Sequence, residues 1–315
     1  NNFFNTIGNL LVNPKVGLLF VDFESGGLLQ ISGHATVDWQ PRASRDPGAL
    51  RTINVSIDRV IDRPRALSLR WRTHSEPSHR LTVIDKVVES NEVTSVYLAS
   101  ADNRPLAPFS AGQHLPIEIE LTDFATQVSR SYSVSGAPDT NVYRLSIKRE
   151  PQGLVSRYLH DVMDIGDYIH AGAPSGDFVV SCAQCPLVLV SAGIGITPTL
   201  AILHDVAKEP GTRPVWFVHG ARNKEQHSFR DEVSALTRAR PGIAKLIHYS
   251  QPGDQDRLGI DYDAKGRISA QTLLDLNVGP EAHYFLCGPP GFVSDIQTGL
   301  DAAGVLQGHI HFETF

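Results

Sequence analysis

Four short stretches concentrate the residues of this chain that could do chemistry, and each lies where a strand gives way to a turn. The first is "RSYSVSG", residues 130–136, with one guanidinium, one phenol and three hydroxyls. Alternate side chains of a strand share a face, so Arg130, Tyr132 and Val134 point one way and Ser131, Ser133 and Ser135 the other. Arg130 is suited either to a surface ion pair or to a phosphate, where one charge-assisted hydrogen bond contributes roughly 1.5–3 kcal/mol. The second is "RLSIKREPQGLVSRYLH", residues 144–160. Its strand ends at Glu150, Gly153 gives room, and Ser156 falls in the first turn of a helix, whose bare amides make an anion site.

The third stretch, "SAGIGITP" at 191–198, ends an apolar strand at Ser191. Gly193 and Gly195 permit a tight turn, Thr197 is placed to cap, and Pro198 stands where a first helical residue needs no N–H. A pyrophosphate suits this helix start; so does a turn that binds nothing, because the full G-x-G-x-x-G pattern is absent. The fourth is "CGPPG" at 287–291, again between an apolar strand and a helix. Cys287 has no nearby base to make it a nucleophile, and a small soft side chain packed against a planar ring fits it better.

These stretches need elements to position them. Residues 80–183 read as short strands separated by turn signals, with one helix at "GLVSRYLHDV", which is the rhythm of an antiparallel barrel. From residue 184 to 315, continuous apolar strands alternate with helices, the pattern of a parallel sheet covered on both faces. Ligands on such sheets bind beyond the carboxyl ends of the strands, where the third and fourth stretches fall. Residues 1–73 read as a helix followed by three strands, and the polar "RTHSEPSHR" at 72–80 as a linker.

The 315 residues are 41% hydrophobic and 20% charged, with net charge -6. That length predicts two or three domains, and the acidic balance argues against a broad nucleic-acid surface. No apolar run is long enough to span a membrane. Three cysteines are too few for a disulfide framework and point to a reducing, cytoplasmic compartment. "CAQC" (Cys182, Cys185) has no second cysteine pair for a four-ligand zinc site, so it reads as packed thiols at a strand start, and no metal is expected. The abrupt ends, "NNFFNTIGN" without an initiator Met or signal peptide and "HIHFETF" straight after a strand, read as cut from something longer.

Taken in order, "RSYS", "SIKREPQGLVSRYLH", "SAGIGITPTL", "LCGPPGFV" and "HIHFETF" resemble the ferredoxin–NADP reductase superfamily, and within it the reductase portion of flavohaemoglobins. The resemblance covers residues 80–315. It implies an FAD-binding β-barrel, an NAD(P)-binding α/β domain and hydride transfer from NADH or NADPH to FAD. It places Arg130 on the flavin phosphate, Tyr132 on the isoalloxazine and Ser133 near the reactive N5. Ile147, Lys148 and Arg149 fall on the family's next strand, and Gly153, Leu154, Val155 and Ser156 on its pyrophosphate turn. His114, in "GQHLPI", falls where the family has an aromatic or polar residue near the adenosine or ribityl end. Gly193, Gly195, Ile196, Thr197 and Pro198 match the nicotinamide-nucleotide turn, and Cys287, Gly288 and Pro289 the segment beside the nicotinamide. Glu313 and Phe315 match a terminal carboxylate and aromatic lying against the flavin, with Glu313 able to relay a proton.

In "HGARNKEQ", Arg222 and Lys224 are placed for a 2'-phosphate, and no acidic residue at that strand end grips a 2'-hydroxyl, which leans toward NADPH. Related proteins often carry a plant-type 2Fe–2S ferredoxin domain after the closing segment, so an electron acceptor of that kind, absent from this chain, is implied. The head resembles the later half of a pyridoxamine 5'-phosphate oxidase-like split barrel, a family of FMN-binding dimers. A homodimer through residues 1–73 is compatible with that, and Asn5, Asn9 and Gln30 are the polar candidates there. The rival readings are an FMN-dependent oxidase of that kind and a non-catalytic flavin-binding module.

Overall fold

Alternation, apolar runs and turn residues translate directly into elements. The computed structural model describes residues 5–23, 25–39, 52–67, 79–102, 104–121, 126–182, 184–211 and 213–314. Two units emerge, 1–75 and 76–315. In the first, helix α1 (Asn5–Val12) precedes β1 (Lys15–Asp22), β2 (Gly27–Asp38) and β3 (Thr52–Arg63), which pair antiparallel in that order. A bulge at Ser32/Gly33 bends β2, and Gly33 is required there because a Cβ would lie 2.1 Å from the Ser56 carbonyl oxygen.

The second unit begins with six strands: β4 (His79–Val88), β5 (Val93–Ser100), β6 (His114–Leu121), β7 (Thr126–Ser133), β8 (Tyr143–Lys148) and, after helix α2 (Leu154–Asp161), β9 (Tyr168–Ala171). Their order is β7-β6-β9-β4-β5-β8. The edge strands then meet, through a Val134–Leu145 bridge and a 2.9 Å bond from Ser135 N–H to the Arg144 carbonyl, closing a barrel. Leu115, Ile117 and Ile119 alternate inward to join Leu81, Val83, Leu98, Leu145 and Met163 in its core. β9 has no counterpart in the sequence reading: four residues between a helix and a loop carry too little alternation to stand out.

The chain then builds a parallel sheet from β10 (Leu187–Ala192), β11 (Val215–Ala221), β12 (Ile243–Tyr249), β13 (Ala264–Lys265), β14 (His283–Gly288) and β15 (Ile310–Thr314). It is flanked by α3 (Ile196–Lys208), α4 (Arg230–Ala239), α5 (Ala270–Leu274) and α6 (Pro290–Ala302). The order β13-β12-β11-β10-β14-β15 means that the chain winds outward from β10 and then returns to its other side. The switch point therefore lies between β10 and β14, and a crevice opens beyond their carboxyl ends.

Barrel and sheet are clasped by charge. Arg144 of β8, its side chain only 8% exposed, donates two bonds of 2.9 Å to Glu232 of α4, which also binds His204 of α3. Burial alone would raise the Glu232 pKa; the bonds from His204 and Arg144 outweigh it and bring it down to about 2. Because the folded value is depressed, this contribution is present above the ordinary carboxylate pKa and fades as pH falls toward 2. Glu232→Gln strands a buried guanidinium, and thermal or denaturant unfolding is expected to show a loss of about 3 kcal/mol at pH 7. The parent–variant gap should shrink in acid.

Candidate active site

A cleft of about 1130 Å³ separates the barrel from the sheet and is lined from both sides. On the barrel side stand Arg130, Tyr132 and Ser133 at the end of β7, Lys148 of β8, and Gly153 to Ser156 at the start of α2. On the sheet side stand Ala192 at the end of β10 with Gly193 and Thr197 beyond it, and Gly288 at the end of β14 with Pro289 and Phe292 beyond it.

Each wall follows from local geometry. Arg130 is exposed, and its Nη1 donates to the Ser129 carbonyl at 2.8 Å, with no carboxylate partner among the described residues. Tyr132 packs half-buried on the barrel core, and desolvation raises its phenol pKa. Helix α2 has Gly153 at its N-cap, a residue with no side chain to cap it, so its first amides stay available. A Cβ on Gly153 would meet Ser156 Oγ at 2.3 Å, so a side chain here would displace that hydroxyl. Ser156 Oγ in turn accepts from Glu150 N–H at 3.2 Å and fixes the approach to the helix.

On the sheet side, Gly193 to Gly195 form a 3-10 turn before α3, and Gly193 sits at φ 56°. A Cβ on Gly195 would lie 2.3 Å from the Cys287 carbonyl oxygen, so the turn presses directly on the end of β14. Thr197 differs from the sequence expectation. Its Oγ1 donates to the Ile194 carbonyl at 3.0 Å rather than capping amides, because the helix starts at Ile196, two residues before Pro198, with Gly195 at the cap. Ile196, Thr197 and Pro198 are all buried beneath the turn.

The two walls join through pairs set by strand register. His114 pairs with Ser133 across β6 and β7, and Cys287 with Glu313 across β14 and β15. His114 Nδ1 and Glu313 Oε1 are 3.8 Å apart, which brings these four residues into one neighbourhood. His114 Nε2 is held by Ser175 Oγ at 3.2 Å. Burial raises the Glu313 pKa. Burial first, then the Glu313 charge, pushes the Cys287 thiol far up, so it stays protonated and is no nucleophile. Ser133 Oγ and Glu313 Oε2 are buried with no hydrogen-bond partner. An unpaired buried polar atom costs about 1–3 kcal/mol, and a ligand that pairs with it recovers that cost. These orphaned atoms and the two glycine-shaped turns fit a flavin and a pyridine dinucleotide.

Comparison with known proteins agrees. Residues 80–180 match the oxidoreductase FAD-binding domain and residues 189–298 the oxidoreductase NAD-binding domain. The flavohemoprotein of Deinococcus radiodurans is 38% identical over 233 residues, 74% of this chain, and the chain spans 58% of that protein's length. The flavohem-like FAD/NAD-binding domain of nitric oxide dioxygenase from Vibrio cholerae is 34% identical, with a TM-score of 0.68 over 76% of this chain and 99% of that domain. The chain belongs to this family of FAD- and NAD-binding oxidoreductases. It is an NAD(P)H-dependent flavoprotein oxidoreductase. A phthalate dioxygenase reductase, 24% identical, shares the fold at a TM-score of 0.59 over 75% of this chain and 67% of its own. Residues 1–79 precede both domain matches. No helix among the described residues is long and apolar enough to cross a membrane.

Within this reductase several expected positions shift. Ile147 is 1% exposed and fills the barrel core, so its neighbours Ser146 and Lys148 face the cleft instead. Arg149 turns to Asp161 at 2.7 Å. Lys224 is bound at 3.1 Å to buried Asp261, which leaves Arg222 as the cation of that loop on the cleft. Phe315 lies outside the described residues, and so does the Asn5 side chain; Asn9 is exposed and Gln30 half-buried. Ser250 and Arg267 line the far end of the cleft and escaped the sequence reading. Ser250 directly follows β12, so the carboxyl-end rule would have found it; Arg267 follows the two-residue β13, which carries no sequence signal.

The raised pKa of Glu313 has a measurable sign. The protonated form suits the fold, so its stabilising effect holds at low pH and is lost as pH rises through the folded value. Glu313→Gln is expected to raise the thermal midpoint at pH 8 and leave it nearly unchanged at pH 4.

Proposed function

We propose that this chain takes a hydride from NAD(P)H onto FAD in the cleft and passes electrons to an iron–sulfur or haem centre outside residues 80–315. When bound, the flavin accepts a hydride and releases electrons singly. The observation that carries this reading is the cleft itself: two anion-binding helix starts on opposite walls, with the orphaned Ser133 hydroxyl between them.

Each residue has a task that follows from its position. Arg130 and the first amides of α2 hold phosphate. Tyr132 offers a flat half-buried face for a ring, and Ser133 Oγ a hydrogen bond at the ring edge that receives the hydride. Gly193 and the turn to Thr197 hold the second pyrophosphate, and Gly288 and Pro289 bound the nicotinamide. Protonated Cys287 lies buried beneath that segment and takes no part in the reaction. Glu313, beside His114, holds a proton close to the reacting edge. Orientation of the two rings supplies most of the acceleration.

The acceptor class is supported by relatives. The flavohemoprotein match names a haem protein, and the phthalate dioxygenase reductase is described as carrying electrons from pyridine nucleotides to a 2Fe–2S centre. Arg222, Ser250 and Arg267 at the far end of the cleft favour a 2'-phosphate, hence NADPH.

Anaerobic mixing of the purified FAD-loaded protein with NADPH or NADH tests the core of the proposal: the flavin absorbance should bleach, and a chain that binds flavin but never bleaches is a binding module. Multiple turnover should then need a 2Fe–2S or haem protein as acceptor, and its failure with both removes that part. Ser133→Ala should keep FAD and slow bleaching about 10–100-fold, the worth of one such hydrogen bond. Arg222→Ala should raise KM for NADPH roughly tenfold and barely move KM for NADH.

A further inference from the structure

The carboxyl ends of the parallel sheet hold the cleft; the amino ends gather three groups that hydride transfer does not use. Cys182 and Cys185 lie in the segment leading into β10. His283 opens β14 in register with Leu187, and its N–H donates to the Pro186 carbonyl at 2.9 Å. One ligand atom from each of the three lies within 4.8 Å of the other two. Both cysteines are free thiols. Cys185 N–H donates to Cys182 Sγ at 3.1 Å, so the C-x-x-C turn already curls around its first sulfur.

The imidazole is held in place. His283 Nδ1 is hydrogen-bonded to His311 Nε2 at 2.9 Å, and its ring stacks on His309 with centroids 4.3 Å apart. Metal-binding histidines are typically oriented by such an outer hydrogen bond. Cys182 is only half-buried, so solvent reaches the group. Two sulfurs and a nitrogen exclude calcium and magnesium, which take oxygen, and two cysteines are too few for a four-cysteine iron–sulfur cluster. Bonds of about 2.3 Å to sulfur and about 2.0 Å to nitrogen put tetrahedral ligand atoms about 3.5–4 Å apart, a spacing that the 4.8 Å bound on these three atoms admits.

We propose that Cys182, Cys185 and His283 bind one Zn²⁺ through two sulfurs and one imidazole nitrogen, with water in the fourth position. Each thiol gives its proton to solvent, two protons are released, and no electron moves. Two thiolates offset the charge of the ion. The ion ties the segment between barrel and sheet to the first residue of β14, at the end of the sheet remote from the dinucleotide. It staples the fold and leaves hydride transfer untouched.

The test uses the FAD-loaded chain, reduced, freed of metal with a chelator, and titrated with ZnCl₂ against a chromophoric chelator. One equivalent should bind, and native thiol titration should lose the Cys182 signal as it does. C182S/C185S should bind none. His283→Gln should lose more than the about 10–100-fold that removal of an outer-sphere partner costs. Flavin absorbance and bleaching by NAD(P)H report that each variant is folded; should the double variant lose its flavin, thiol protection by Zn²⁺ in the parent chain decides. No binding by the parent, binding by C182S/C185S, or full affinity in His283→Gln would overturn the proposal.

Discussion

Hydride crosses between two rings only when they touch, so everything in this chain depends on how firmly the barrel sits on the parallel sheet. A displacement of about an ångström is enough to cost orders of magnitude in rate. The seat is built in two parts. Val93, Ala111 and Phe178 from the barrel side join the apolar core beneath α3, and this burial supplies adhesion. A polar seam supplies register: Arg144 to Glu232, Glu92 to Gln226 at 2.8 Å, and Ser90 to Ser228 at 2.9 Å. Apolar contact alone is non-directional and would let one body slide over the other. The hydrogen bonds hold one position.

With the seat fixed, electrostatics follow from topology. The chain is acidic overall, yet Arg130, Lys148, Arg222 and Arg267 all border the cleft. Lys148 is shared between Glu92 and Glu150, and Arg222 lies 3.8 Å from Glu92. Those carboxylates keep the cations oriented until a phosphate competes for them. Two helix starts add partial positive charge from opposite walls. A dianionic dinucleotide is thus drawn to one concave place on a surface that otherwise repels it.

Much of this was legible in the sequence because the signals were local. Apolar runs such as "PLVLVSAG" announced buried parallel strands, and the glycines at 153, 193 and 195 marked turns: Gly195 leaves no room for a Cβ against the Cys287 carbonyl, and Gly193 takes a positive φ. What stayed hidden depends on distance along the chain. Ile147 was drawn into the site by its motif, although strand alternation between Ser146 and Lys148 already assigned it to the core. Lys224 looked free until Asp261 came beside it. The approach of His283 to "CAQC" was hidden as well, because it arises only when β14 pairs with β10. β9 and β13 are too short for any periodicity to register.

The neighbourhood of Ser133, His114, Cys287 and Glu313 is assembled by register more than by motif. Ser133 and His114 are cross-strand partners in the barrel; Cys287 and Glu313 are cross-strand partners in the sheet. A 3.8 Å approach from His114 to Glu313 links the pairs. β15 is therefore an element through which the sheet reaches β6 of the barrel. A one-residue slip of β15 would turn Glu313 to the opposite face and replace it by Phe312 or Thr314. The core side of that strand prevents this, because Ile310, 7% exposed, is packed against the inner face of α6 and cannot move without leaving a void. Packing of one isoleucine thus keeps a buried carboxyl beside His114.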